Sequence, residues 1–199
     1  MDNQVLSRVV SALKSGNIIV YPTDTLYGLG ADVFNDIAVK KVFKVKNRPF
    51  NLPLSVAVSC IEDLEKIAFV DDKAKKIINV FLPGRLTLIL KKKKTLSRIV
   101  TGGLENIAIR IPDNVVALKL LSNYGPLTCT SANIHGKDTP TVISDIRMQF
   151  KKSDISVYIN HGKLRGKPST IVDLTGKKPG LVRQGAIEFK GILDAIKNG

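Results

Sequence analysis

The chain has 199 residues, 44% of them hydrophobic, and its 31 Lys and Arg against 17 Asp and Glu give a formal net charge of +14. That length can bury one sizeable core, so a single domain over residues 1–199 is expected rather than two small ones. No apolar run approaches the roughly 20 residues that span a bilayer, no basic segment leads into an apolar stretch at the start, and Cys60 and Cys129 stand apart with no Cys-x-x-Cys pair; these features predict a soluble cytoplasmic protein with no membrane partner, disulfide framework or zinc site.

In chain order, Val5, Leu6, Val9, Val10 and Leu13 recur at helical spacing from Asp2 to Ser15, with Asp2 or Asn3 to cap the start and Gly16 to end it. Ile18-Ile19-Val20 then reads as a buried strand, and the segment Tyr21 to Ala31, YPTDTLYGLGA, leaves its end as a polar loop. Ends of strands are where open α/β sheets place their ligand sites. Five side chains with oxygens (Tyr21, Thr23, Asp24, Thr25, Tyr27) crowd into seven residues there, while Pro22, Gly28 and Gly30 shape the backbone. An ordinary strand-to-loop connection is the plain alternative.

Asp36 can cap a helix bearing Val39, Val42 and Phe43 on one face, ending before Pro49. Leu54 to Val58 predicts a strand, Ser59 with Glu62 a capping box, and Asp71 to Phe81 a helix. Strands are predicted at Leu86 to Leu90, Ile107 to Ile111, Leu127 to Thr130, Ser156 to Asn160, Thr170 to Leu174 and Gly180 to Arg183, and helices near Asn114 to Ser122, Ser144 to Phe150 and Glu188 to Lys197. Helices interspersed among many strands, with no repeat or linker, argue a single α/β domain.

The basic excess is global, with 17 basic against 9 acidic residues up to position 100 and 14 against 8 beyond it. Such a field attracts phosphate, on a nucleotide, on RNA or on a membrane surface, with a lysine-rich solvated surface as the plain alternative. The run Lys91 to Lys94 reads most simply as a solvated hairpin or loop. Polar clusters fall at strand ends: Lys46-Asn47-Arg48-Pro49, Arg110 within IAIRIP, Ser131-Ala132-Asn133, Ser169, and Arg183-Gln184-Gly185. Arg110 reads either as an outward residue of an alternating strand or as part of a shared anion pocket. Neither a Walker loop nor a Rossmann fingerprint is present, so a bound nucleotide would rely on side-chain cations.

Taken in order, YPTDTLYGLGA, Lys46-x-Arg48-Pro49 with PLSV behind it, FLPGRLTLIL, IAIRIP, TSAN, PSTIVD and LVRQG resemble the successive motifs of the YrdC family of threonylcarbamoyl-AMP synthases, over roughly residues 4 to 196. The resemblance implies an α/β (α+β) fold of YrdC/RibB type, a twisted mixed sheet with surrounding helices and a deep basic cavity. It implies condensation of L-threonine, bicarbonate or CO2, and ATP into threonylcarbamoyl-AMP and pyrophosphate, a nucleotidyl transfer that serves threonylcarbamoyl-adenosine modification of tRNA. Magnesium accompanies ATP in such chemistry, tRNA and a downstream threonylcarbamoyl transferase complex are implied as partners, and no protein metal site is implied.

Carried over by motif, Lys46 and Arg48 match the catalytic Lys-x-Arg pair at the nucleotide; Asn106, Ser131, Asn133 and Arg183 join them in the implied ATP site; Thr25, Arg110 and Ser169 match the threonine site. Tyr21 and Tyr27 are expected either to line the cavity or to pack. Ala57 stands in PLSVA where many members carry a histidine that contacts threonine, Arg85 stands where proline is frequent, and Leu82 replaces a frequent tryptophan. Ala57 keeps a YciO-like nucleotide- or RNA-binding protein without this activity as the alternative; Lys46 and Arg48 favour the synthase. A plain RNA-binding module is the third reading, but no RNP-like aromatic sequence or Gly-x-x-Gly clamp supports it.

Overall fold

A computed structural model describes residues 1–151, 153–164 and 166–198. Its helices form where apolar spacing and caps agree. α1 (Asn3–Lys14) opens on the Asp2 carboxylate, which accepts from the Val5 amide at 2.8 Å, and ends before Gly16 at φ 69°. α2 (Asp36–Lys46) is capped by Asn35 rather than Asp36, and Asn47 in the left-handed region closes it. α3 (Ile61–Ile67) lacks the predicted capping box, because the Ser59 hydroxyl donates to Asp63 one turn on, leaving Cys60 at the cap without a side-chain bond. α4 (Asp72–Phe81), α5 (Val115–Tyr124), α6 (Ile143–Gln149) and α7 (Phe189–Asn198) complete the helices.

The strands form two mixed sheets. In the smaller, β1 (Ile18–Pro22) pairs antiparallel with β2 (Tyr27–Gly30) and parallel with β8 (Ile155–Tyr158), and β2 carries β7 (Thr130–Ser131) on its other edge. Half of the predicted polar loop is therefore a strand. Its register sets Tyr21 opposite Gly28, with the ring also against Gly30; a Cβ on Gly30 would sit 2.9 Å from that ring, so glycine serves close approach here.

The larger sheet runs β10-β9-β4-β5-β3-β6, built from β3 (Ser55–Ala57), β4 (Leu86–Lys91), β5 (Asn106–Arg110), β6 (Leu127–Thr128), β9 (Thr170–Asp173) and β10 (Gly180–Arg183). The single strand predicted at Leu127 to Thr130 is divided. β6 pairs with β3, and after Cys129 the chain crosses to β2 as β7, stitching the two sheets together.

Strand alternation gives the larger sheet two faces. Ile107 and Ile109 point into the main core with Val56, Leu86, Leu88 and Val172, each worth about 1.5–3 kcal/mol on full burial. The opposite face, Ser55, Thr87, Ile89, Ala108, Arg110 and Ile171, looks into a cavity. A second apolar cluster under α1 and α5 holds Tyr21, Ala57 and Leu127.

Candidate active site

The cavity, about 550 Å³, lies where the two sheets meet at the β6 to β7 crossover. Tyr27, Gly28, Thr130 and Ser131 of the smaller sheet face the larger sheet's inner row across it, and Arg48, Ser169 and Arg183 close its rim.

The Thr23 to Thr25 turn is locked by its own hydroxyls. Thr23 Oγ1 donates to the Leu26 carbonyl at 2.6 Å and accepts from the Thr25 and Leu26 amides. With that proton spent, the Thr25 hydroxyl donates to Thr23 at 3.0 Å and accepts from Arg110 Nη1 at 3.0 Å. Arg110 Nη2 bonds both Asp24 and the Gly84 carbonyl, and the side chains of Arg110 and Asp24 are only 6% and 5% exposed. This is a buried ion pair in which one atom of each partner, Arg110 Nε and Asp24 Oδ2, has no hydrogen-bond partner among the described residues. IAIRIP thus satisfies both sequence readings of Arg110: it alternates away from the isoleucines, and the face it reaches is a cavity.

At the other end of the cavity, Lys46 at the close of α2 is 2% exposed. Its ammonium donates to the Ser131 carbonyl, to the Asn133 carbonyl at 2.7 Å and to Asn133 Oδ1 at 3.3 Å. Burial, with Arg48 adding repulsion, lowers its pKa from the ordinary 10.5 to about 7. Ser131 Oγ donates to Asn133 Oδ1 at 2.6 Å, so the Ser-Ala-Asn turn is folded around the lysine. Arg48 donates to the carbonyls of Leu52 and Pro53 at 3.2 and 2.9 Å, and burial works against its charge.

On the third side, Ser169 Oγ and Thr87 Oγ1 are 2.8 Å apart, and Arg183 donates through Nε and Nη2 to the Ser169 carbonyl. Burial, and then the nearby Arg110, lower the Arg183 pKa. Gly185 fastens this corner. A Cβ there would lie 2.3 to 2.5 Å from backbone atoms of Pro168 to Thr170, so only glycine allows the chain to pass.

The structure therefore gathers Thr25, Arg48, Arg110, Ser131, Ser169 and Arg183 on one cavity, with Lys46 and Asn133 behind Ser131. Asn106 does not join them. It shares the inner face of β5 with Arg110 but lies four residues away, about 13 Å along the strand, opposite Lys91. Tyr21 packs, its hydroxyl bonding the Thr128 carbonyl; Tyr27 lines the cavity while its hydroxyl donates to Gly162 and accepts from the His161 amide. Ala57 lies in the apolar cluster with Tyr21 rather than on the lining. Thr87 and Asp24 belong to the site and were missed as site residues; the one polar residue within LTLIL was a readable signal for Thr87. The Lys91 to Lys94 run is partly tied down, with Lys92 3.9 Å from Glu105 and Lys93 over the Phe69 ring. Among the described residues no group of three or more His, Cys, Asp or Glu could hold a metal ion, and no helix is long and apolar enough to cross a membrane.

The Sua5/YciO/YrdC family model, described as "Telomere recombination", matches residues 11–185. A putative threonylcarbamoyl-AMP synthase of Methanocaldococcus jannaschii is 43% identical over 94% of this chain and 88% of its own length. The structure of Pyrococcus abyssi Sua5 complexed with L-threonine superposes with a TM-score of 0.93 at 36% identity, covering 98% of this chain and 58% of that longer one. Escherichia coli YciO superposes with a TM-score of 0.88 at 28% identity over 96% and 94% of the two chains.

Proposed function

The chain belongs to the Sua5/YciO/YrdC family, and from that premise we propose that it is an enzyme, a threonylcarbamoyl-AMP synthase that joins L-threonine, bicarbonate or CO2, and ATP, releasing pyrophosphate. The observation that carries this is one cavity lined by Arg48, Arg110 and Arg183, with the Thr25 hydroxyl bonded to Arg110, in a family where a relative's structure holds L-threonine. ATP and bicarbonate are anions, and threonine carries a carboxylate. Assembling them costs several kcal/mol of Coulombic repulsion unless fixed cations offset it.

In this reading Arg110, Thr25 and Ser169 take the amino acid, its carboxylate meeting the Nη1 hydrogen of Arg110 that Thr25 leaves free. Arg48 and Arg183 meet the phosphates, and Ser131 lines the nucleotide side. Lys46 and Asn133 act from behind, keeping the Ser131 turn in place; as the reacting carboxylate approaches the α-phosphate, a cation beside that turn favours the charge that develops. Asn106 is left outside the nucleotide site. The reaction is then nucleotidyl transfer driven by orientation and charge stabilisation, with no protein nucleophile. Magnesium would enter with the triphosphate, which fits a cavity rich in arginine and poor in carboxylates. The product would pass to a transferase acting on tRNA in the cytoplasm.

YciO shares the fold, so the fold does not separate the two branches; the 43% and 36% identities to the putative M. jannaschii synthase and to Sua5, against 28% to YciO, favour the synthase. Pyrophosphate release measured with each substrate omitted in turn tests it. Release should need ATP, threonine and bicarbonate together; release from ATP alone, indifferent to threonine, would sink the assignment.

A further inference from the structure

The three arginines on the cavity differ in what holds them. Arg48 bonds two backbone carbonyls and Arg183 bonds the carbonyl and hydroxyl of Ser169; among the described residues neither has a carboxylate within ion-pair distance. Of these three Arg110 has one among the described residues, Asp24. The distinction is electrostatic. A carbonyl orients a guanidinium and leaves its unit charge in place, whereas a carboxylate in contact cancels most of that charge as felt a few ångströms away.

Asp24 is also placed to act from behind. Arg110 and Thr25 face the cavity, while Asp24 lines a separate outer hollow with Gly84, Arg85, His161 and Lys163. Among the described residues Arg110 is the one cation within ion-pair distance of Asp24; neither Arg85 nor Lys163 reaches it. The second oxygen of Asp24 is buried and has no hydrogen-bond partner among the described residues.

We propose that Asp24 sorts the anions in this cavity: by compensating Arg110 it reserves that corner for a single carboxylate and leaves polyphosphate to Arg48 and Arg183. The inference rests on the reading that an amino acid and ATP share the cavity. A polyphosphate follows uncompensated charge, and three free arginines on one cavity would let it spread across the amino-acid corner. A monocarboxylate needs only one contact there, the Nη1 hydrogen of Arg110 that Thr25 leaves free, and tolerates a compensated cation. Asp24 is therefore a specificity residue working by exclusion, acting through Arg110 without touching substrate.

The test is titration calorimetry of the full chain with L-threonine and inorganic pyrophosphate. In the unmodified protein saturating pyrophosphate should leave the threonine Kd within about twofold, whereas in Asp24→Asn it should raise the apparent Kd about tenfold or more, as expected when a compensated cation becomes free. Asp24→Glu should keep the original pattern. Displacement of threonine by pyrophosphate from the unmodified protein would overturn the proposal, as would independent binding of the two ligands to Asp24→Asn. Should Asp24→Asn fail to fold, the Arg48→Ala/Arg183→Ala double variant decides: it should lose pyrophosphate and keep threonine, and undiminished pyrophosphate binding would contradict the proposal. Failure of threonine to bind the unmodified protein at all is a different result, and removes the functional reading together with this inference.

Discussion

Lys46 and Arg110 are both buried cations at the edge of one cavity, and the fold holds them by opposite means. Lys46 is surrounded by neutral acceptors, the carbonyls of Ser131 and Asn133 and the Asn133 side chain, whereas Arg110 is held by the carboxylate of Asp24. Dipoles orient the lysine without cancelling its charge, so burial lowers its pKa to about 7 and ties it to a turn that lines the cavity. The arginine gains a compensating charge, and its removal leaves that charge stranded. One corner holds a cation whose charge burial weakens, the other a cation whose charge a carboxylate offsets.

Breaking the carboxylate-held corner should cost the most stability. Arg110→Ala strands Asp24 as a buried anion and should lose about 3–5 kcal/mol in urea unfolding; a loss below 1 kcal/mol would mean that Asp24 finds another partner. Arg48→Ala sharpens the contrast, because its partners are carbonyls beside solvent. Stability should fall by only about 1 kcal/mol, while the rate of pyrophosphate release falls about 10² to 10³-fold, the scale of losing one preorganised cation. Activity unchanged by that substitution would contradict the assigned site.

The lysine corner has its own pH signature. Because the folded-state pKa of Lys46 is about 7 against an ordinary 10.5, the unfolded chain binds more protons between these values, and stability should rise with pH across that window. The slope is at most about 1.4 kcal/mol per pH unit. Lys46→Met should flatten this rise, measured by urea unfolding at pH 6.5 and 9; an identical rise in the variant would assign it to another group. The smallest effect belongs outside both corners. Lys94→Gln, on the exposed part of the lysine run, should change stability by less than about 0.5 kcal/mol and leave activity unaltered.

The sequence made local features plain and left long-range ones obscure. Asp2, Asn114 and Asp71 cap helices near where the pattern placed them, because a cap is settled within one turn of chain. Ser59 failed as a cap because Asp63 took its hydroxyl, a choice between partners that spacing alone does not decide. Leu127 to Thr130 read as one strand, since nothing local announces that its two halves join different sheets. Most of the site was legible as motifs: Thr25, Arg48, Arg110, Ser131, Ser169 and Arg183 meet on one cavity. Its inner logic was not. The burial of Lys46 behind Ser131, the pairing of Arg110 with a residue 86 positions away, and the absence of Asn106 from the lining all depend on which strands become neighbours.

The most direct test of the central claim is mass spectrometry of the product formed from ATP, L-threonine and 13C-bicarbonate. The account predicts a threonylcarbamoyl adenylate heavier by the single labelled carbon, formed only when all three are present and nearly lost in Arg48→Ala. An adenylate of threonine without the labelled carbon, or no adenylate from the folded protein, would contradict it.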